Sequence, residues 1–326
     1  MKKSHPDCST KGSITVQSLD LNDLESVVKA ATDIEKTLNG SPIGALVLNA
    51  GVISKTLART AQGFEEGWGV NFVGHYVLTQ KLLPLTDKDT HIVAVSSIAH
   101  LVTKRIVEDV NFEKRKFSGW QSYGQSKLAA ILFMKYLARN STLFKGKAYS
   151  IHPGAIATRL QSDTTWTKLS FKLFSAWTKT PQQGAATTMY ACTDLCDAPS
   201  GSYLADCATV KQGWLVGKQA FDDANGDEMI ANVEESLKSK FPKYFEINMD
   251  KRREQRMKPP MQVIRKGTGV TGVSATSVTS VTSKISDKVS RAASLAASFS
   301  SDEDQEHTSK SGANVRKDSI AAVYNL

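Results

Sequence analysis

Tyr123 and Lys127, in the stretch Ser122-Tyr-Gly-Gln-Ser-Lys-Leu-Ala129, stand four residues apart. On a helix that spacing puts a phenol and an ammonium on one face, one turn apart. An ammonium beside a phenol favours its ionised form and lowers its pKa, so the tyrosine can give and take a proton near neutral pH. That is the chemistry of carbonyl reduction and alcohol oxidation. The same spacing also fits an exposed tyrosine lying beside a lysine, so the elements around the pair carry the decision.

Three apolar runs read as strands. Ala45-Leu-Val-Leu-Asn49 ends in Asn49-Ala50-Gly51, small residues that let a backbone approach a ligand closely. His91-Ile-Val-Ala-Val-Ser-Ser97 ends in two hydroxyls, and Ala148-Tyr-Ser-Ile-His-Pro153-Gly154 breaks into a Pro-Gly turn followed by Thr158. Strands alternating with helical stretches predict a parallel α/β sheet, in which ligands bind at the carboxyl ends of the strands. The helices are expected over 21–38, 63–83, 120–139, 182–195 and 227–237. The first carries the stripe Leu24, Val27, Val28, Ala31, Ile34 and Leu38, with Asn22 and Glu25 at capping-box spacing.

The order Asn-Ala-Gly, Asn71-Phe-Val-Gly74, Ser96-Ser97, Tyr123-x-x-x-Lys127 and Pro153-Gly154 resembles the short-chain dehydrogenase/reductase family. Val95-Ser-Ser-Ile-Ala-His100, Pro181-Gln-Gln-Gly-Ala-Ala186 and Gly201-Ser-Tyr-Leu-Ala-Asp-Cys207 resemble its retinol dehydrogenase-like branch, which includes the WW domain-containing oxidoreductase. The resemblance implies a Rossmann-type, doubly wound parallel sheet and NAD(P) as cofactor, with the preference between NAD and NADP open. It implies four catalytic residues: Tyr123 to move the proton, Lys127 to lower its pKa and hold the nicotinamide ribose, Ser97 to hold the substrate oxygen, and Asn71 to shape its helix and support a water relay. Ser96 is the alternative to Ser97. Asn49, Ala50 and Gly51 would lie along the cofactor with Tyr123 and Lys127, Pro153, Gly154 and Thr158 at its nicotinamide end, and Asp20 by the adenine. Without the family, Asn71 reads equally as a helix-surface amide and Asp20 as a helix-capping carboxylate.

The sequence departs from the family at its start. Such a sheet opens with a strand, a glycine-rich turn and a helix whose N–H groups receive the cofactor pyrophosphate. Here the first element, Ile14-Thr-Val-Gln-Ser-Leu-Asp20, matches the family's third strand, so the first two strands are expected to be missing. Charge-assisted hydrogen bonds contribute about 1.5–3 kcal/mol each, so losing two or three weakens cofactor binding by roughly three orders of magnitude or more. The expected edge at Leu46-Val-Leu48 would invite aggregation or pairing with another chain. Two readings stand: an oxidoreductase acting on a bulky apolar carbonyl or alcohol such as a retinoid, steroid or lipid aldehyde, or a truncated, catalytically inactive relative acting as a binding or regulatory protein.

Composition sets the frame. The 326 residues divide into a disordered 1–12, a partial catalytic domain over 13–245, and a basic linker and Ser/Thr-rich disordered tail over 246–326. The linker holds Asp250-Lys-Arg-Arg-Glu-Gln-Arg-Met-Lys258; in the tail Arg291-Ala-Ala-Ser294 and Ser300-Ser-Asp-Glu-Asp304 resemble kinase sites, though a plain flexible tail explains them as well. Residues 162–180 carry Trp166, Leu169, Phe171, Leu173, Phe174 and Trp177. By family position they form a substrate lid; they serve equally to pack that segment on the core or a membrane surface. Cys192 and Cys196, one turn apart, read as core packing rather than as metal ligands. A net charge of +9 without a nucleic-acid motif implies a solvated basic surface and no nucleic-acid partner, with weak peripheral contact to anionic membranes second. No signal peptide or membrane span is read, so a cytoplasmic or membrane-surface location is expected. Pairing into homo-oligomers through the Tyr-Lys helix follows from resemblance alone.

Overall fold

The computed structural model describes residues 14–154, 179–245 and 322–324. The helical stripe of 21–38 becomes α1 (Leu24–Leu38), with Leu24, Val27, Ala30 and Ala31 buried. Its N-cap is Asp23 rather than Asn22: the Asp23 carboxylate accepts the Glu25 N–H at 3.0 Å. Strand β1 (Ala45–Leu48) is fully buried. The stretch expected as one helix over 63–83 is divided into a short α2 (Glu66–Trp68), a π-helical turn (Gly69–Val73) and α3 (Gly74–Leu82). Then follow β2 (His91–Val95), α4 (Gly119–Arg139), capped by Ser118, and β3 (Lys147–His152). After the undescribed 155–178 come α5 (Pro181–Ala191), β4 (Tyr203–Ala205), β5 (Ala208–Thr209), α6 (Asp223–Lys240) and α7 (Pro242–Phe245). Helix α5 opens on a reciprocal capping box between Thr180 and Gln183. A last strand, β6 (Ala322–Tyr324), lies far along the chain.

The strand order is β5-β4-β3-β2-β1-β6. The pairs from β1 to β4 are parallel, while β5 and β6 lie antiparallel at the two edges. Strand alternation sends Leu46, Leu48, Ile92, Ala94 and Ala148 into one core with α1, α3, α4 and α6. Ala45, Val47, Val93, Val95, Tyr149 and Ile151 face the other, against Ala191, Cys192 and Cys196. Both faces are covered, as a doubly wound sheet requires. Cys192 and Cys196 are buried free thiols, and burial raises the Cys192 pKa to about 12. No group of three metal-binding side chains and no helix long and apolar enough to cross a membrane occurs among the described residues.

The expected opening strand is not formed. Residues 14–20 pair with no strand, and Ile14 and Val16 are 78% and 87% exposed. A ladder needs a neighbour, and the edge of β1 is already taken by β6.

Candidate active site

The candidate residues collect where the parallel strands end and α4 crosses them. Helix α4 approaches the turn after β2 so closely that a Cβ on Gly124 would lie 2.7 Å from Ala99 O and 2.4 Å from Val102 Cγ2. That approach brings Tyr123 and Lys127 against Ser96 and Ser97. Ser97 caps the 3-10 turn over Ile98–Val102, accepting the Ala99 N–H at 3.2 Å.

The two serines divide their work. Ser96 is buried and its hydroxyl donates to Lys127 O at 2.8 Å. Ser97 is partly open and its hydroxyl neighbours the Tyr123 phenol closely enough to favour the ionised phenol. The Lys127 ammonium is buried, donates to Val95 O at 2.8 Å and lies 5.5 Å from the centre of the Tyr123 ring. Burial lowers its pKa to about 8. The phenol departs from the expectation of a lowered pKa. Burial pushes it above its ordinary value, and the Ser97 contact only partly opposes this.

Asn71 stands in the π-helical turn and is buried. Its Oδ1 accepts the Val52 N–H at 2.7 Å, while Nδ2 donates to Val52 O at 3.0 Å and to Ser126 Oγ at 2.9 Å. Ser126 Oγ in turn donates to Tyr123 O at 2.8 Å. The amide thus ties the turn after β1 to the helix bearing Tyr123. A Cβ on Gly51 would meet Asn71 Oδ1 at 3.1 Å and Lys127 Nζ at 3.4 Å, so this turn comes as close to the lysine as a side chain at 51 would permit. Ala50 is half-buried and Asn49 exposed beside it.

Two candidates sit apart from this cluster. Asp20 Oδ1 accepts the Asn22 N–H at 2.9 Å, a turn leading into α1. Gly154 follows Pro153 with φ 88°, a conformation that needs glycine, and a Cβ there would strike the Lys179 side chain. Thr158 and the aromatics of 162–178 lie outside the described residues.

Several further residues stand near the site. Glu65, fully buried, accepts the Gly67 and Trp68 N–H groups at 2.9 and 2.8 Å and caps α2; an acidic residue preceding a helix is a legible signal. His75 Nδ1 lies 3.2 Å from Asn71 O, one turn on, while its Nε2 is buried without a partner. Burial, reinforced by the Lys127 charge, lowers the His75 pKa to about 3. His100 Nδ1 lies 2.7 Å from Ser97 O, and the buried Tyr203 hydroxyl stands beside Ser96 without a properly aligned partner. Glu65, His75 and His100 lie within about one turn of these partners, whereas the approach of Tyr203 to Ser96 joins distant parts of the chain and only folding reveals it.

The profile of the short chain dehydrogenase family matches residues 2–168. The chain belongs to that family. Its curated relatives place it in the retinol dehydrogenase-like branch. It is 35% identical to mouse retinol dehydrogenase 12 over 213 residues, covering 63% of this chain and 65% of that protein. To the WW domain-containing oxidoreductase of Drosophila melanogaster it is 32% identical over 197 residues, covering 58% of this chain and 48% of that protein. The chain thus spans less than two thirds of the length of either. A crystal structure of a protein from Mycobacterium paratuberculosis superposes with a TM-score of 0.54 at 31% identity, covering 72% of this chain and 80% of that one.

Proposed function

We propose that this chain is an NAD(P)-dependent oxidoreductase exchanging a hydride with the carbonyl or alcohol of a bulky apolar substrate of the retinoid, steroid or lipid-aldehyde kind. The observation that carries the reading is the joining of Asn71, Ser97, Tyr123 and Lys127 in one cluster, with Ser96 turned away and Ser97 turned to the phenol. Its similarity to retinol dehydrogenases supports an apolar substrate.

The nicotinamide cofactor supplies or accepts the hydride; proton handling falls to the chain. In reduction the π pair of the carbonyl moves onto its oxygen, Ser97 holds that oxygen, and the Tyr123 O–H gives it the proton, to be replenished from solvent. Burial keeps the phenol protonated at neutral pH, which suits the donating role and hence the reductive direction. Lys127, beside Gly51 and the tyrosine ring, would hold the ribose. For the pyrophosphate, no glycine-rich strand-to-helix turn stands among the described residues, so the residues fit the nicotinamide half of the cofactor alone.

A second reading, a non-catalytic binding or regulatory protein, is favoured by β6, which occupies the place beside β1 where a doubly wound sheet would carry its cofactor-binding strand. Titration of the 326-residue chain with NADPH and NADH, followed by assay with retinoid and steroid carbonyls, separates the two. Turnover that Tyr123→Phe reduces by about 10²–10⁴-fold is expected. A folded chain that neither binds the cofactor nor turns over, and whose biological effect survives Tyr123→Phe, would establish the second reading.

A further inference from the structure

We propose that the edge of β1 is a strand-docking surface whose occupant is the chain's own segment Ala322–Tyr324, held intramolecularly as a latch. The segment lies antiparallel to β1 with Ala45 opposite Tyr324, Leu46 opposite Val323 and Val47 opposite Ala322.

The backbone pattern of β1 explains why something must sit there. His91 N–H donates to Gly44 O at 2.9 Å, which fixes the phase of the parallel ladder to β2. Alternation then points the amides of Leu46 and Leu48 at β2, and the N–H and C=O groups of Ala45 and Val47 at the opposite edge. All four β1 residues are buried, so those groups need partners. The segment supplies them through the pairs Ala45–Tyr324 and Val47–Ala322, which by this phase are the hydrogen-bonded ones; Val323 turns its own amide away.

The sequence singles out the same segment. Beyond residue 245 the longest uninterrupted apolar run is Ile320-Ala-Ala-Val-Tyr324, in a region otherwise dense in Ser, Thr, Lys and Asp, and it includes the strand-favouring Val and Tyr. A three-residue pairing is too weak to hold two molecules together at ordinary concentrations. Tethering changes this. The 76 residues from 246 to 321 have a contour length far greater than the domain's width, so the chain itself can bring the segment to β1, and a covalent connection raises its effective concentration there above that of a separate copy. Affinity comes from main-chain bonds, as in strand-addition modes of recognition. The strand so held leads directly into Asn49-Ala50-Gly51, whose following residue Val52 is clasped by Asn71. The latch therefore steadies the strand that presents one wall of the candidate site.

The test is amide hydrogen exchange on the full chain against the double variant Ala322→Pro/Tyr324→Pro, which deletes the two N–H groups that face β1. The Ala45 and Val47 amides should exchange at least about tenfold faster in the variant, while Ile92 and Val93 in the middle of the sheet keep their protection and show that the fold persists. Val323→Ile, which keeps both the backbone groups and the strand preference, should leave all four unchanged, and protection in the parent chain should not vary with protein concentration. New self-association of the proline variant would count for the latch as well, because a bared edge pairs with copies of itself. Equal exchange at Ala45 and Val47 in variant and parent overturns the proposal. So does protection that rises with concentration, which would assign the strand to a second copy.

Discussion

Asn71 and Val52 pair as two strand residues would: the side-chain amide accepts the Val52 N–H at 2.7 Å and donates to the Val52 carbonyl at 3.0 Å. A single side chain thereby stands in for a neighbouring strand just where β1 has ended. Because the same amide reaches Ser126, it ties the turn after β1 to helix α4.

Asn71→Ala leaves both Val52 groups and Ser126 without that partner. Each lost partner of a buried polar group costs about 1–3 kcal/mol, and water entering the cavity recovers part of it, so a net loss of about 2–4 kcal/mol is expected. Urea unfolding measures it. Faster hydrogen exchange should be confined to residues 50–53 and the start of α4.

Lys127→Met separates stability from function. The folded pKa of about 8 lies below the ordinary 10.5, so below pH 8 the folded chain carries a buried charge at a cost on the order of 3 kcal/mol. Between pH 8 and 10.5 the unfolded chain holds the proton and the folded chain does not, so parent stability rises with pH across that window. Methionine removes both the cost and the rise, but orphans Val95 O, which gives back about 1–3 kcal/mol. The variant should equal or slightly exceed the parent in stability at pH 7, with a flat profile from 8 to 10.5, and have no oxidoreductase activity. Chemical unfolding across that pH range checks it.

His75 sets the acid limit. Its folded pKa of about 3 lies below the ordinary 6.5, so as pH falls through that window the unfolded chain takes up a proton that the folded chain refuses, and stability falls. The shift corresponds to a loss on the order of 5 kcal/mol between pH 6.5 and 3. His75→Gln, neutral throughout, should flatten the dependence between pH 6 and 4; an unchanged slope in thermal melts would place the acid sensitivity elsewhere.

Gly124→Ala tests the close approach of α4. Its methyl group would sit against Ala99 O and Val102 Cγ2, so the helix must retreat by several tenths of an ångström. Overpacking of this kind costs about 1–3 kcal/mol. Because the displacement opens the gap between Tyr123 and Ser97, turnover should fall more than stability does, a comparison that kcat beside Tm will read.

Much of this was written locally. The apolar runs at 45, 91 and 148 became β1, β2 and β3, because a strand buried on both faces announces itself as a continuous apolar run. Tyr123 and Lys127 share a helix face because four residues make about a turn. Local pattern does not decide where a longer-range partner does. Residues 14–20 have the composition of a strand and form none, for want of a neighbour with free backbone groups. The helix expected over 63–83 is broken by a π-helical turn where Asn71 reaches out to Val52.

By itself the sequence determined the class of sheet and put a phenol and an ammonium one helical turn apart, since these follow from periodicity and from residue spacing. Three matters were decided only by the tertiary structure: which serine faces the phenol, that burial raises the phenol's pKa where an adjacent ammonium was expected to lower it, and that a segment some 270 residues downstream lies along β1. Each depends on what surrounds a group in space, and desolvation and strand pairing join parts of the chain that no local pattern connects.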